Sequence, residues 1–241
     1  SMQNSLFGDD VAETIAVPAI PDCEPWNSLE RLRKEKDVIG FYVSGHPLDE
    51  YSFEIRSFCN ASIDQFADLN NLKNREVSLA GILTEVNHRL SKTGKPFCTF
   101  TIEDYTGSYQ MSVFGEDYMK IKDFLAQESF VFMRARVQPR FHSPDQLEIR
   151  PVFMTYLSDL TDKMAKTVTL RLSLNQVVPE FIEYLHTTLK SSPGTCLVKV
   201  FINDMMDNLA VEVASKSIKV KVNKQLLDRL GEIGVADIKL N

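Results

Sequence analysis

The spacing of hydrophobic residues in this 241-residue chain changes near residue 75 from a helical period to a period of two. Alternation of apolar and polar residues over a short run predicts a β-strand with one buried face. The alternating runs cover residues 77–84, 97–104, 109–114, 130–137 and 147–154, with a helical stretch at 116–125. Three strands, a helix and two more strands are the order of the five-stranded OB-type β-barrel, so residues 75–160 are predicted to form one.

Local features support this barrel. Gly81 lies inside the first run and permits the sharp bend that a small barrel needs. The stretch Ser91–Pro96 predicts a turn, and Tyr105–Ser108 predicts the tight turn of a hairpin. A polar stretch, Pro139–Asp145, predicts a loop between the last two strands. We expect Asp104 to accept hydrogen bonds from backbone amides of the hairpin turn.

The regions on either side of the barrel differ from it in pattern. Residues 1–27 contain several prolines and little periodicity, which is typical of a flexible segment. Residues 28–74 are predicted to form a helical connector. Residues 161–241 are predicted to form a small C-terminal α+β domain. The predicted fold class is therefore mixed α and β, with the barrel in the middle of the chain.

The connector has recognisable helix boundaries. Its first helix can be capped by Asn27 or Ser28, and Gly45 and Pro47 are predicted to stop it before a second short helix. The C-terminal domain is predicted to contain, in order, a strand at 168–174, a helix at 179–190, a strand at 196–201, two short strands and a final helix at 223–230.

Charge and composition restrict the function further. The formal net charge is -6, and residues 1–74 carry 6 basic and 13 acidic residues whereas residues 75–157 carry 10 of each. A neutral section can hold a polyanion if its basic residues gather on one face. No stretch approaches the roughly 20 apolar residues of a membrane helix, so a cytoplasmic protein without membrane contact is expected. The dispersed cysteines predict reduced, mostly buried thiols.

No motif in the sequence predicts catalysis, a metal site or a cofactor. The histidines lie in unrelated contexts, and phosphate-binding loops, GxSxG elbows and HExxH motifs are absent. His46 stands beside Pro47 and close to Asp49, a combination that could suggest a metal ligand. We expect a structural role instead, in which His46 orders a turn and Asp49 caps the following helix.

The outer surface of the barrel is a better candidate for a functional site than any catalytic motif. Strand alternation places Phe97 and Thr99 on the outer side of the second strand, and Arg134 and Arg136 on the outer side of the fourth. OB barrels bind oligonucleotides on strands 2 and 3 and on the flanking loops, where cations meet phosphates and aromatic rings stack on bases. The predicted contacts are Arg89, Lys92, Lys95, Phe97, Thr99, Arg134, Arg136, Arg140, Phe141 and His142.

Several strings then resemble a known family. The string IGFYVSGHPLDEY at Ile39–Tyr51 is similar to the carboxy-terminal part of the bacterial replicative DNA polymerase III alpha subunit, and so is the strand-rich segment that follows it. The strings TVTLRLSLNQ at Thr167–Gln176 and SSPGTCLVKVFIND at Ser191–Asp204 resemble the terminal domain of that family. The resemblance covers nearly the whole chain.

The resemblance implies partners as well as a fold. In that family the barrel binds single-stranded template DNA, and the last domain recruits the tau subunit of the clamp loader. The catalytic aspartates of the polymerase lie upstream of the matching region, so this chain is expected to have no active site, although its parent would be a DNA-directed DNA polymerase. The string QNSLF resembles the peptide with which bacterial polymerases bind the sliding clamp (beta subunit), which implies contacts by Gln3, Ser5, Leu6 and Phe7.

Two other classes of function remain open from the sequence. One is the anticodon-binding OB domain of an aminoacyl-tRNA synthetase, which also joins a barrel to helical flanks. The other is a protein-interaction module whose barrel does not bind nucleic acid, in keeping with the negative net charge. A binding assay that compares tRNA with single-stranded DNA would distinguish the anticodon-binding domain from the polymerase hypothesis. Undetectable binding of single-stranded DNA at low salt would favour the protein-interaction module.

Overall fold

The computed structural model describes residues 24–140, 143–204, 209–235 and 237–241. The chain divides into two compact units, one ending at Gly45 and the other extending from His46 to Asn241. Within the described residues, no helix is both long enough and apolar enough to cross a lipid bilayer.

Helix α1, Ser28–Ile39, belongs to the first unit. The Asn27 side chain accepts a hydrogen bond from the Glu30 backbone amide at 2.8 Å, which confirms one of the predicted caps. The helix ends at Gly40, which has a φ of 95° and donates its N–H to the Lys36 carbonyl. The predicted stop at Gly45 and Pro47 is therefore wrong, because a left-handed glycine already closes the helix at Gly40.

The second unit begins with the connector. It consists of a 3₁₀ helix at Pro47–Tyr51, helix α2 at Ser52–Phe58, and two further 3₁₀ turns at Ile63–Ala67 and Leu69–Leu72. The His46 Nδ1 accepts the Leu48 N–H at 3.1 Å, and the His46 N–H donates to the Asp49 carboxylate at 2.7 Å. This reciprocal cap confirms the structural role predicted for His46 and Asp49.

The same turn contacts the barrel. The Tyr105 hydroxyl donates to the Asp49 carboxylate at 3.0 Å, and the Tyr105 ring lies 4.4 Å from the His46 ring. Tyr105 belongs to the hairpin turn between the second and third strands of the barrel. The SGHPLDEY segment therefore fixes the connector to one end of the barrel.

The barrel has the predicted order of elements. Its elements are β1 (Glu76–Leu90), β2 (Pro96–Glu103), β3 (Ser108–Phe114), α3 (Gly115–Ile121) with a 3₁₀ turn at Lys122–Phe124, β4 (Phe130–Arg140) and β5 (Ser143–Tyr156). The strands form one antiparallel sheet in the order β3-β2-β1-β4-β5, and β3 approaches β5 so that the sheet is nearly closed. The predicted five-stranded OB barrel is confirmed.

The barrel core is built from one face of each strand. The buried set includes Leu79, Cys98, Phe100, Ile102, Met111, Val113, Val131 and Met133. At Gly81 a side chain has no room, because an added Cβ would lie 2.5 Å from the Ile102 Cγ1 and 2.7 Å from the Glu103 carbonyl oxygen. The glycine thus lets β1 pass close to β2 where their pairing begins, next to the Ile82–Glu103 pair.

A second apolar layer covers part of the barrel exterior. Ala80, Ile82 and Phe132 point away from the barrel core and pack beneath Leu48 and helix α4, Leu157–Met164. The first half of β1 is therefore buried on both faces.

The C-terminal domain is a four-stranded mixed sheet with two helices. Its elements are β6 (Thr167–Ser173), a 3₁₀ turn (Leu174–Gln176), α5 (Pro179–Lys190), β7 (Pro193–Asp204), β8 (Leu209–Val220), α6 (Lys224–Glu232) and β9 (Asp237–Leu240). The strand order is β8-β7-β6-β9, with β6 and β7 parallel and joined through α5. Phe53 and Phe58 of α2 pack against the core of this domain.

Three further details differ from the sequence-based expectations. The predicted loop Pro139–Asp145 is largely strand, because β4 continues to Arg140 and β5 starts at Ser143. This hairpin extends away from the barrel core, so its residues are polar although their backbones are paired. The two short strands expected after residue 201 are one strand, β8, with a register shift opposite Leu197 and Lys199, and β9 was not predicted.

Candidate nucleic-acid interface

An aromatic pair lies across β2 and β3 on the outer surface of the barrel. Phe97 is opposite Phe114 in the antiparallel register, and the two rings stack with centroids 5.1 Å apart and planes 16° from parallel. On the other side of β2, Arg89 of β1 is paired with Phe97. One row across three strands therefore presents a cation beside two stacked rings.

The outer ring of this pair is accessible. Phe114 is 59% exposed, whereas Phe97 is half-buried. A ring that is held by stacking on a second ring and still exposes most of its surface can accept a nucleotide base. This arrangement distinguishes the β2–β3 face from an ordinary solvated sheet surface.

Phe114 was not among the predicted site residues. It shares the parity of Ser108, Gln110 and Ser112, so strand alternation alone places it on the outer face. It lies at the end of its strand, and its pairing with Phe97 follows from the register between the two strands.

Polar side chains continue the face away from the aromatic pair. The hydroxyls of Thr99 and Ser112 lie 3.2 Å apart, and the Thr101 hydroxyl donates to the Glu85 carboxylate at 3.3 Å. Glu103 follows at the end of β2. The face is thus basic and aromatic at one end, neutral in the middle and acidic at the other, so the basic and aromatic end offers the best site for a polyanion.

The turn after β1 adds two cations next to the aromatic row. The Ser91 amide donates to the Lys95 carbonyl at 2.8 Å, and Gly94 closes the turn with a φ of 77°. Lys92 and Lys95 are exposed, and among the described residues neither they nor Arg89 form an ion pair. Their charges therefore remain available for phosphate groups.

The arginines of β4 lie elsewhere. Arg134 and Arg136 point outward as predicted, but they lie beside the first residues of β1, at the opposite end of that strand from Arg89. Both contact the Glu76 carboxylate at 3.7 Å, and the Arg134 guanidinium lies 4.9 Å from the centroid of the Phe153 ring. The structure does not bring them together with Phe97 and Thr99.

The remaining predicted contact residues lie at the end of β4 or outside the described residues. Arg140 lies at the exposed end of β4 and donates to the Gln146 side chain at 3.2 Å. Phe141 and His142 lie outside the described residues. The predicted clamp contacts Gln3, Ser5, Leu6 and Phe7 also lie outside the described residues.

The buried polar groups near this face serve the fold. The Asp104 carboxylate accepts the Thr106 N–H at 2.7 Å, the Gly107 N–H at 3.2 Å and the Ile63 N–H at 2.8 Å, so its predicted role in the turn is confirmed.

Burial, with a contribution from Asp104, raises the pKa of Cys59 to about 12, which keeps that thiol protonated. Within the described residues no cluster of His, Cys, Asp or Glu is arranged to hold a metal ion.

Comparison with known proteins agrees with this architecture. Residues 77–154 match a family model described as OB-fold nucleic acid binding domain, and residues 168–241 match one described as DNA polymerase III alpha subunit, C-terminal domain. DNA polymerase III subunit alpha of Mycobacterium tuberculosis is 26% identical over 238 residues, which cover 96% of this chain and 20% of the relative. The chain is homologous to the C-terminal region of the DNA polymerase III alpha subunit.

Two further alpha subunits extend the comparison. That of Aquifex aeolicus is 24% identical over 242 residues, covering 97% of this chain and 19% of the relative. That of Borreliella burgdorferi is 33% identical over 141 residues, covering 56% of this chain and 12% of the relative. The chain thus spans at most about a fifth of the length of these alpha subunits.

Proposed function

We propose that this chain binds single-stranded DNA on the outer face of β1, β2 and β3, as the non-catalytic C-terminal part of a replicative DNA polymerase III alpha subunit. The stacked Phe97–Phe114 pair beside Arg89 is the observation that carries the proposal. The homology to alpha subunits and the match to a nucleic-acid-binding OB model support it.

The geometry favours a single strand over a duplex. A base can stack on Phe114 only if its own face is free, and the bases of a duplex are stacked on one another. Base–aromatic stacking contributes roughly 1–3 kcal/mol per base and tolerates any sequence, because every base has a π-face. A template strand of varied sequence requires this kind of tolerance.

The charges predict weak, salt-sensitive binding. Arg89, Lys92 and Lys95 can meet phosphates at the aromatic end of the face, whereas Glu85 and Glu103 repel them at the other. Each phosphate contact on a single strand makes the slope of log affinity against log salt concentration more negative by about 0.7. We expect a slope of about -2 if all three cations engage.

We propose the further partners from the resemblance to alpha subunits and not from this face. The segment around Gln3, Ser5, Leu6 and Phe7 would bind the sliding clamp, and the C-terminal domain would bind the tau subunit of the clamp loader. The remainder of the polymerase chain would supply catalysis, in the cytoplasm and without cofactors held by this chain. Substitution of both Leu6 and Phe7 by alanine should abolish clamp binding and leave DNA binding intact.

Fluorescence anisotropy with a labelled oligothymidylate tests the DNA-binding proposal. Phe114→Ala should weaken binding about tenfold, in line with the loss of one stacked base. Tyr184→Ala removes an aromatic side chain of α5 that is 66% exposed, and it should leave the affinity unchanged. Lys92→Ala should weaken binding and make the slope of log affinity against log salt concentration less negative, whereas Lys190→Ala should do neither.

Three results would contradict the proposal. Equal affinities of wild type and Phe114→Ala would exclude the aromatic pair as the binding site. A clear preference for tRNA over single-stranded DNA would favour an anticodon-binding role. No detectable single-strand binding at low salt would favour a protein-interaction module.

A further inference from the structure

Strand β8 lies at an open edge of the C-terminal sheet. In the described part of the chain its segment Leu209–Ala214 pairs only with Lys199–Asp204 of β7, and the sheet order ends at β8. In an antiparallel pair, alternate residues direct their N–H and C=O groups away from the partner strand. Half of the residues in this segment therefore present unpaired backbone donors and acceptors to solvent, which is the arrangement to which another strand can add.

The side chains of the same segment form an apolar strip. Leu209, Val211 and Val213 are 63%, 56% and 51% exposed. Val211 is paired with Ile202 and Val213 with Val200, so the strip lies on the face of the sheet that carries the domain core. The apolar face thus continues beyond the helices that cover the core, and water contacts it there. Exposed β-branched and leucine side chains in one continuous strip are typical of an interaction surface.

The opposite edge of the sheet is less open. Strand β9 comprises only Asp237–Leu240, and residues of α2, including Phe53 and Arg56, line the same groove as Ile238. Phe53 packs against the core at this side. An added strand therefore has better access at β8 than at β9.

Charges near β8 restrict what can bind. Glu212 is already paired with Lys199 at a distance of 2.5 Å, on the face opposite the apolar strip. Lys216 and Lys219 follow further along the strand, are exposed, and form no ion pair within the described residues. A binding segment with an acidic residue at that end complements them.

We propose that β8 is a docking edge at which an extended segment of a partner protein adds as a fifth strand, with alternating apolar side chains against Leu209, Val211 and Val213 and an acidic residue near Lys216. The inference rests on the proposed function of the domain, and it locates the tau-binding surface at this edge. Backbone hydrogen bonds would supply affinity, and contacts with the apolar side chains of the strip would supply specificity.

Surface plasmon resonance with purified tau subunit tests the edge with a matched pair of variants. Val211→Lys places a charge in the apolar strip and should weaken tau binding at least about tenfold. Ala210→Lys introduces the same charge on the same strand, but on the opposite face, and should change the affinity by less than about twofold. In hydrogen exchange of the wild-type complex, the amides of Leu209–Ala214 should exchange more slowly than in the free chain.

The outcomes separate this inference from the function on which it rests. If Val211→Lys binds tau as tightly as wild type and the β8 amides gain no protection, the edge is not the docking site, and tau docking itself still stands. If the wild-type chain does not bind tau, the docking function is wrong and the inference fails with it. If the chain forms a dimer that Val211→Lys dissociates, the edge joins two copies and not a partner.

Discussion

Phe97 and Phe114 lie at the centre of the proposed binding surface. Their rings stack on the exterior of the barrel, where Phe114 gains little from burial. Their neighbours across the strands are Arg89 on one side and hydroxyl side chains along the face. The combination of a free cation and a supported ring is suited to a phosphate and the base next to it.

Gly81 is the residue whose substitution should most affect the barrel. An alanine Cβ at this position would overlap the Ile102 side chain and the Glu103 carbonyl, and the carbonyl cannot move without breaking strand pairing. We expect Gly81→Ala to lower the free energy of unfolding by roughly 1–3 kcal/mol. Urea denaturation followed by circular dichroism measures the change.

Gly231 provides the control. It lies in helix α6, where an added Cβ meets no heavy atom within 4 Å and the backbone conformation suits any residue. Gly231→Ala should raise stability by about 0.5–1 kcal/mol, because alanine has less backbone freedom to lose on folding. Similar effects of the two substitutions would show that the close approach at Gly81 is not what requires glycine.

At the scale of elements, the junction between the connector and the β2–β3 turn depends on Tyr105. Burial raises the pKa of Tyr105 to about 12, with a further contribution from its hydrogen bond to Asp49. An unfolded tyrosine has a pKa of about 10, so the folded chain holds this proton more tightly. The stabilisation is complete below about pH 10 and is lost as the pH rises towards about 12.

Tyr105→Phe should therefore change the pH dependence of stability. Near pH 8 the variant loses the bond to Asp49, worth about 1 kcal/mol. Between about pH 10 and 12 its stability should decline less steeply than that of wild type, because it has no proton to release at this position. Tyr184→Phe lies at an exposed position where the hydroxyl forms no hydrogen bond to another described residue, and it should follow the wild-type curve. Parallel curves for wild type and Tyr105→Phe would show that the Tyr105 proton does not stabilise this junction.

Strand alternation predicted the barrel well because each strand has one face in a common core. It placed Cys98, Phe100 and Ile102 inside and Phe97 and Thr99 outside, as the structure has them. The same pattern did not predict two elements. The β4–β5 hairpin has polar residues on both faces because it extends into solvent, and β9 is too short and too mixed in composition to show a period.

Neighbourhoods across strands were harder to predict than faces. Arg134 and Arg136 have the outward orientation that alternation indicates, but the strand order places them beside Glu76 and away from the β2–β3 face. The pairing of Phe97 with Phe114 likewise depends on a register that a single sequence does not contain. Side-chain direction is local information, whereas adjacency in a sheet is not.

At the scale of the whole molecule, α2 connects the barrel to the C-terminal domain. Phe58 packs against two apolar clusters, one between the barrel and α4 and the other in the C-terminal core. Removal of residues 167–241 would therefore expose part of the connector as well as delete a domain. Point substitutions on the surface are better tests of partner binding than this truncation.

Phe58→Ala should weaken both domains together. We expect a loss of about 2 kcal/mol, below the value for a fully buried phenylalanine because Phe58 is only partly buried. Native-state hydrogen exchange should show faster opening of amides in both β2 and β6. Faster exchange in one of these strands alone would mean that the two domains open independently.

The face that carries Phe97 and Phe114 is the proposed site for single-stranded DNA. Chemical-shift mapping of the isotope-labelled chain with a short oligothymidylate identifies the residues that the DNA contacts. We expect the largest shifts at Arg89, at Ser91–Lys95 and at the two phenylalanines, with small shifts at Arg134 and Arg136. Large shifts confined to the β4 arginines or to the C-terminal domain, with none at Phe97 and Phe114, would contradict this proposal.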